Sequence, residues 1–207
     1  MEAYFDNSAT TIVTDSVKDI VVKTMTEDFG NPSAMHMVGV KAEKYIKEAQ
    51  ENIAKILKVD PKEIFFTSGG TESDNWAIKA AAQMLKEKGR HIITSKIEHH
   101  AILHTCEWLE KQGAKITYLD VDENGVVDLD QLQKAITPET ILISVMAANN
   151  EIGTLQPIKE IGAIAKEHGI LFHTDAVQAF GQIPINVDEC NIDMLSLIHI
   201  SEPTRHA

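Results

Sequence analysis

An α/β fold built on a mainly parallel sheet is what this sequence predicts, and three observations carry it. Short apolar runs of strand length alternate with amphipathic runs of helix length from Ile64 onward, which is the rhythm of βαβ units. Gly89, Gly113 and Gly169 each stand between the end of a helical pattern and the start of an apolar run, where a left-handed C-cap is expected. Polar residues also gather directly behind the strand-like runs, at the edge where parallel sheets collect their ligands.

Taken in order, Ile64-Phe65-Phe66 reads as a short buried strand that passes through Thr67-Ser68-Gly69-Gly70-Thr71-Glu72 into a helix. That helix is expected over Ser73 to Lys88, with Trp76, Ile78, Ala81, Met84 and Leu85 on its apolar face. Strands follow at His91 to Thr94, Lys115 to Leu119, Ile141 to Met146 and Ile170 to Thr174. Helices separate them at Ala101 to Gln112, Asp128 to Ala135 and Ile158 to His168. No internal repeat or low-complexity linker interrupts the series.

A chain of 207 residues is long enough to bury a sizeable core. Lys+Arg 19 against Asp+Glu 31 leaves a net charge of -12, and without a basic cluster a nucleic-acid surface would lack its attraction. Cys106 and Cys190 lie far apart with no CxxC pairing, which suits core thiols of a reduced compartment better than a disulfide framework or a zinc site. The N-terminus shows no basic segment followed by an apolar one, and no run reaches the roughly 18 apolar residues of a membrane span. A soluble, cytoplasmic protein with no membrane contact is expected.

The turn between Thr67 and Asp74 is chemically suited to a phosphate. Glycines let the backbone approach a ligand, and the unpaired N–H groups of a first helical turn, aided by the helix dipole, attract an anion. Thr71-x-x-Asp74 also fits a capping box, so the stretch alone leaves a capped corner open. Asp175 follows the last strand and is three residues ahead of Gln178; a carboxylate there can pair with a protonated ring nitrogen or begin a helix. Asn150, after the strand ending at Met146, is the favoured amide contact to a ligand, although Asn149-Asn150-Glu151-Ile152-Gly153 has turn chemistry too. His99 stands at a helix start, placed either to stack on an aromatic cofactor or to cap the helix. A metal pair at His100 and His104 lacks a third ligand of recognisable spacing, so no metal is expected.

Together these pieces resemble the class V aminotransferase superfamily of pyridoxal-phosphate enzymes, and most closely the NifS-like cysteine desulfurases. The resemblance runs in order through Tyr4-Phe5-Asp6-Asn7-Ser8-Ala9-Thr10-Thr11, Gly30-Asn31-Pro32-Ser33-Ala34-Met35-His36 and Ser68-Gly69-Gly70-Thr71-Glu72-Ser73-Asp74-Asn75. It continues through Glu98-His99, Asn149 to Gly153 and Asp175-Ala176-Val177-Gln178 to Asp193-Met194-Leu195-Ser196. It implies the large domain of a fold-type I transferase, a mainly parallel sheet flanked by helices, incomplete at the C-terminus. By resemblance, Gly70 and Thr71 hold the phosphate of pyridoxal 5'-phosphate, and His99 stacks on the ring and assists proton transfer. Asp175 pairs with the ring nitrogen, Gln178 bonds the ring hydroxyl, and Asn150 contacts cofactor and substrate. The implied activity moves sulfur from L-cysteine to an enzyme persulfide, leaves L-alanine, and serves iron–sulfur cluster assembly or thiolation through a sulfur-acceptor protein. A homodimer is implied as well, with Asn31 to His36 at its edge. Alternatives are a selenocysteine lyase, another class V aminotransferase, or a non-catalytic fragment acting as a binding scaffold.

The resemblance stops near Ser196-Leu197. The family pattern places a phosphate-binding serine at Ile198, a histidine at Ile200 and the cofactor-bearing lysine at Ser201, and no lysine follows Lys166. Residues 1–197 are therefore expected to form an N-terminal segment and a partial cofactor-binding domain. Residues 198–207 are expected to be an artefactual tail, similar to translated adapter sequence. The chain as written is expected to be inactive and to hold no borohydride-trappable cofactor, and neither Cys106 nor Cys190 matches a persulfide cysteine.

Overall fold

Two helices dominate the residues up to Phe66, α1 (Asp15–Thr26) and α2 (Met37–Leu57). The structure is a computed structural model that describes residues 3–7 and 9–198, and these divide into two units, one running to Phe66 and one of Thr67–Ile198. Helix α2 begins where the His36 ring accepts the Gly39 N–H at 3.3 Å, and it ends at Lys58 in the left-handed region. The Tyr45 hydroxyl donates to Asp28 at 2.8 Å, tying α2 to the segment behind α1. A single 3-10 turn, Pro61–Glu63, is closed by a capping box between Asp60 and Glu63.

Ile64-Phe65-Phe66 was the one strand expected in this region, and it enters none of the strand ladders among the described residues. Phe65 and Phe66 are 67% and 53% exposed. An apolar tripeptide is a strand only when a neighbour supplies the ladder, and none of the five described strands does.

In Thr67–Ile198 the alternation of patterns is realised closely. Strands β1 (His91–Ser95), β2 (Lys115–Leu119), β3 (Thr140–Ser144), β4 (Leu171–Asp175) and β5 (Met194–Ser196) form one sheet in the order β2-β1-β3-β4-β5. Every pairing is parallel. Helix α3 (Gly70–Met84) precedes β1, and α4 (His100–Lys111), α5 (Leu129–Ala135) and α6 (Ile158–Glu167) lie between the strands. Successive strand residues point to opposite faces, so Ile92 and Leu142 pack with Ile78, Ile102, Cys106 and Leu109 of α3 and α4. Ile93, Ile143 and Phe172 pack on the other face with Leu132, Ile161 and Ile164 of α5 and α6. Burial on both faces explains why β1 and β3 are buried along their whole length. Each large side chain so buried contributes about 1.5–3 kcal/mol.

Two expectations need correction. Helix α3 starts at Gly70, three residues before the expected Ser73, and leaves Trp76 53% and Met84 81% exposed while Ile78 and Ala81 are buried. The apolar stripe is thus narrower than hydrophobicity alone indicated. Gly113 and Gly169 do take positive φ, 89° and 62°, but Gly89 does not. Gly89 instead accommodates a close approach, because a Cβ there would lie 2.1 Å from the Glu139 carbonyl oxygen.

Candidate active site

Parallel pairing places Thr94, Ser144, His173 and Met194 side by side across four strands, so all four strands end along one edge. Four of the predicted residues lie just at or beyond those ends: His99 after β1, Asn150 after β3, and Asp175 and Gln178 at and after β4. Gly70 and Thr71 open α3 at the same edge, since a Cβ on Gly70 would stand 2.8 Å from Val177 Cγ2, two residues past β4.

The start of α3 is built as an open helix end. Its N-cap is Gly69 at φ 146°, a conformation suited to glycine, and no side chain caps it. The Thr71–Asp74 capping box therefore does not form. Thr71 is the exposed second residue of the helix and Asp74 points into the interior, 1% exposed. The loop is braced from its other side, where the Glu72 carboxylate accepts the Ser68 N–H at 2.5 Å and Thr67 Oγ1 lies 2.8 Å from Ser73 Oγ. With no side-chain cap at Gly69, the start of α3 is of the kind that suits an anion.

Asp175 is the last residue of β4 and is 5% exposed. Its Oδ1 accepts the Val177 N–H at 2.9 Å, an Asx-type turn, and no helix follows it among the described residues, so it is no helix N-cap. Gln178 is half-buried in the same turn. Burial raises the Asp175 carboxyl, while the Val177 N–H and the nearby His99 ring pull it down.

His99 caps α4: its Nδ1 accepts the Ala101 N–H at 3.1 Å, leaving the ring exposed. The residue before it does more of the holding. Glu98 is buried, takes the Ser95 hydroxyl at 2.5 Å and accepts the Met146 N–H at 3.1 Å on each carboxylate oxygen. Asn149 Nδ2 donates to the Ile97 carbonyl at 2.8 Å, while its Oδ1 accepts the N–H groups of Glu151 and Ile152 at 2.9 and 3.0 Å. These two side chains clamp the turn carrying His99 to the turn carrying half-buried Asn150.

Sequence reasoning passed over Glu98 and Asn149 as clamps and His173 altogether, and it considered Asp74 only as a capping-box residue. A signal existed for Asp74, which shares a helical stripe with Ile78, Ala81 and Leu85. His173 stands two residues before Asp175 on β4 and therefore on the same face. Its Nδ1 lies 2.9 Å from Ser144 Oγ, its Nε2 2.9 Å from Ser196 Oγ and 3.8 Å from Asp74 Oδ1.

Desolvation dominates the electrostatics. Glu98 is pushed up to about 8 by burial, with Asp175 and Asp74 adding repulsion against the Ser95 and Met146 hydrogen bonds. Asp74 is pushed up to about 8 by burial and by Asp175, with the Ser196 hydroxyl opposing. Burial lowers His173 to about 4, so the His173–Asp74 approach is not an ion pair at neutral pH. Cys106 is raised to about 12 by burial, which makes it an inert core thiol; Cys190 is raised for the same leading reason. The rings of His100 and His104 stack at 5.4 Å, and the described residues hold no group of three or more ligand side chains suited to a metal ion.

The model of the family described as aminotransferase class-V matches residues 3–197. The chain belongs to that family. It is 59% identical over 194 residues to the cysteine desulfurase IscS of Methanosarcina thermophila, covering 94% of this chain and 48% of the relative. It is 55% identical over 196 residues to the cysteine desulfurase IscS of Clostridium botulinum strain Hall, covering 95% and 49%. Among solved structures, SspA in complex with cysteine matches with a TM-score of 0.90 at 47% identity, covering 94% of this chain and 56% of that one. A NifS-like protein matches with a TM-score of 0.90 at 43% identity, covering 95% and 55%. The chain thus spans about half the length of the curated relatives it matches.

The cofactor of class-V aminotransferases, pyridoxal phosphate, fits the residues present. It carries an anionic phosphate and a protonatable ring nitrogen, and the site sets an uncapped helix start near the turn that carries a buried carboxylate, with an imidazole close by. Asp74 Oδ1, buried without a hydrogen-bond partner, marks the same region as one whose polar groups are arranged for more than packing. The predicted tail lies beyond this fit: Ile200 and Ser201 fall outside the described residues.

Proposed function

We propose that the protein containing these residues is a pyridoxal-phosphate-dependent cysteine desulfurase, which takes sulfur from L-cysteine onto an enzyme thiol and releases L-alanine. The observation that carries this reading is the pairing of opposite chemistries at one sheet edge, an open helix start at Gly69-Gly70 and a buried carboxylate at Asp175. The names of the relatives, and cysteine in the complex of a structural relative, support the substrate.

Bound at this edge, the cofactor supplies an electron sink that weakens the bonds at the substrate α-carbon. The chain's own residues set that up. Leading N–H groups of α3 and the Thr71 hydroxyl receive the phosphate. Asp175 accepts the ring N–H and keeps that proton in place, because a charge-assisted hydrogen bond in a buried site is worth about 1.5–3 kcal/mol. Gln178 hydrogen-bonds the ring hydroxyl, Asn150 contacts cofactor and substrate, and His99, anchored through the Glu98 clamp, offers Nε2 for proton transfer while Nδ1 is held by Ala101. Clamping matters because a displacement of about 1 Å at such a group can cost on the order of a hundredfold in rate.

A cytoplasmic homodimer delivering sulfur to iron–sulfur assembly or thiolation completes the reading. It is supported by the family membership. The test is pyridoxal phosphate binding by the 207-residue chain followed by absorbance, together with cysteine-dependent alanine and sulfide release by the complete gene product. Asp175→Asn weakening binding at least about tenfold supports the reading; unchanged binding, or a complete product that holds cofactor and releases no alanine, overturns it.

A further inference from the structure

The apolar stripe of α3 carries one carboxylate, and its surroundings are unusual. Asp74 is 1% exposed, Oδ1 has no hydrogen-bond partner, and neither it nor Asp175 has a lysine or arginine ion pair among the described residues. The groups acting on the two carboxylates come from several elements, the Val177 N–H on Asp175 Oδ1 among them. Glu98 and His99 approach from the β1–α4 turn, and His173 lies beside them on β4. Ser144 on β3 and Ser196 on β5 hold the two nitrogens of His173 at 2.9 Å each, and the Ser196 hydroxyl also bears on Asp74.

An ionised Asp74 in this setting would be a buried charge with one bare oxygen and a second carboxylate acting on it, and both features are costly. A neutral acid avoids both. The ring whose Nε2 stands 3.8 Å from Oδ1 is kept uncharged by its burial and supplies no compensating charge. Two interacting buried carboxyls share protons as a unit, and one of them retains its proton to high pH.

We propose that Asp74 is a positioning residue that holds the single proton of the Asp74–Asp175 pair, so that Asp175 alone carries the negative charge at the end of β4. The proposal rests on reading Asp175 as the carboxylate that faces the cofactor's ring nitrogen, and it adds the device that decides which of two buried acids is ionised there. The Ser196–His173–Ser144 chain is the scaffold on which that proton is kept. Burial and repulsion by Asp175 act on Asp74 in the required direction.

The experiment is a carboxyl-carbon NMR titration of the 207-residue chain, labelled at aspartate and free of cofactor, from about pH 4 to about pH 10. One aspartate step above neutral pH is expected, lost in Asp74→Asn. It moves down by about one pH unit or more in Asp175→Asn, which removes the repelling charge, and up in Ser196→Ala, which removes the opposing hydroxyl. An Asp74 step in the ordinary aspartate range, or one unmoved by Asp175→Asn and Ser196→Ala, overturns the proposal. Because no cofactor is present, failure here is distinct from failure of cofactor binding. A merely structural Asp74 would not couple its titration to Asp175.

Discussion

Replacing Glu98 by glutamine should make the protein more stable at alkaline pH. In the folded chain Glu98 is raised from 4.5 to about 8, chiefly by burial, whereas unfolding returns it to water. Between those values the unfolded state releases a proton that the folded state keeps, so stability falls as pH rises. The contribution is fully present below about pH 4.5 and lost by the time pH passes about 8. At about 1.36 kcal/mol per pH unit, the loss is at most about 5 kcal/mol, a large share of a typical domain's 5–15 kcal/mol. Glutamine keeps an oxygen for the Ser95 hydroxyl and the Met146 N–H but does not titrate. Urea unfolding of both proteins at intervals from about pH 5 to about pH 9 should show parental stability falling more steeply than that of Glu98→Gln, with the variant ahead at the alkaline end. Equal slopes would refute the argument that burial keeps Glu98 protonated. A variant losing several kcal/mol at every pH would show instead that the ionised form makes the clamp.

His173 carries the opposite sign: lowered from 6.5 to about 4 by burial, it contributes stability above pH 6.5 that is lost as pH falls toward about 4. The loss is about 3 kcal/mol, and His173→Gln should flatten that acid limb in the same urea series. Gly162→Ala should lower stability by about 1–3 kcal/mol or more, read from the urea midpoint, because its Cβ would stand 1.7 Å from the Cys190 carbonyl oxygen, a backbone atom. Gly70→Ala meets only a methyl of Val177, at 2.8 Å, so rotation of that side chain should hold the cost to about 1 kcal/mol or less, and Gly70→Ala with Val177→Ala should recover it. Gly69→Ala should cost about 1–3 kcal/mol on backbone grounds, because Gly69 holds φ 146°; thermal unfolding distinguishes it from Gly70→Ala.

The alternation of strand and helix was legible because β1 to β4 are short, apolar and bounded by glycine or polar turns. A buried parallel strand leaves that pattern in any context. Ile64-Phe65-Phe66 has the same composition and was misread, since pairing depends on a neighbour that composition does not reveal. For Asp74 the sequence left a capping box open, since Thr71-x-x-Asp74 matches one, and starting the helix at Gly70 turns Asp74 inward instead. A shift of three residues in one helix start converted a surface cap into a buried acid.

By itself, then, the sequence determined the layered α/β architecture and singled out Gly70, Thr71, His99, Asn150, Asp175 and Gln178, which the structure sets along one edge of the sheet. These are local matters of periodicity, turn chemistry and position relative to a strand end. The tertiary structure alone decided protonation and support: which carboxyls lose water, that Glu98 reaches the Met146 N–H, that Asn149 reaches Ile97, and that His173 is pinned between two serines. Desolvation and hydrogen bonding across 23 to 52 positions of separation depend on how strands and helices stack, and no window of neighbouring residues contains that information.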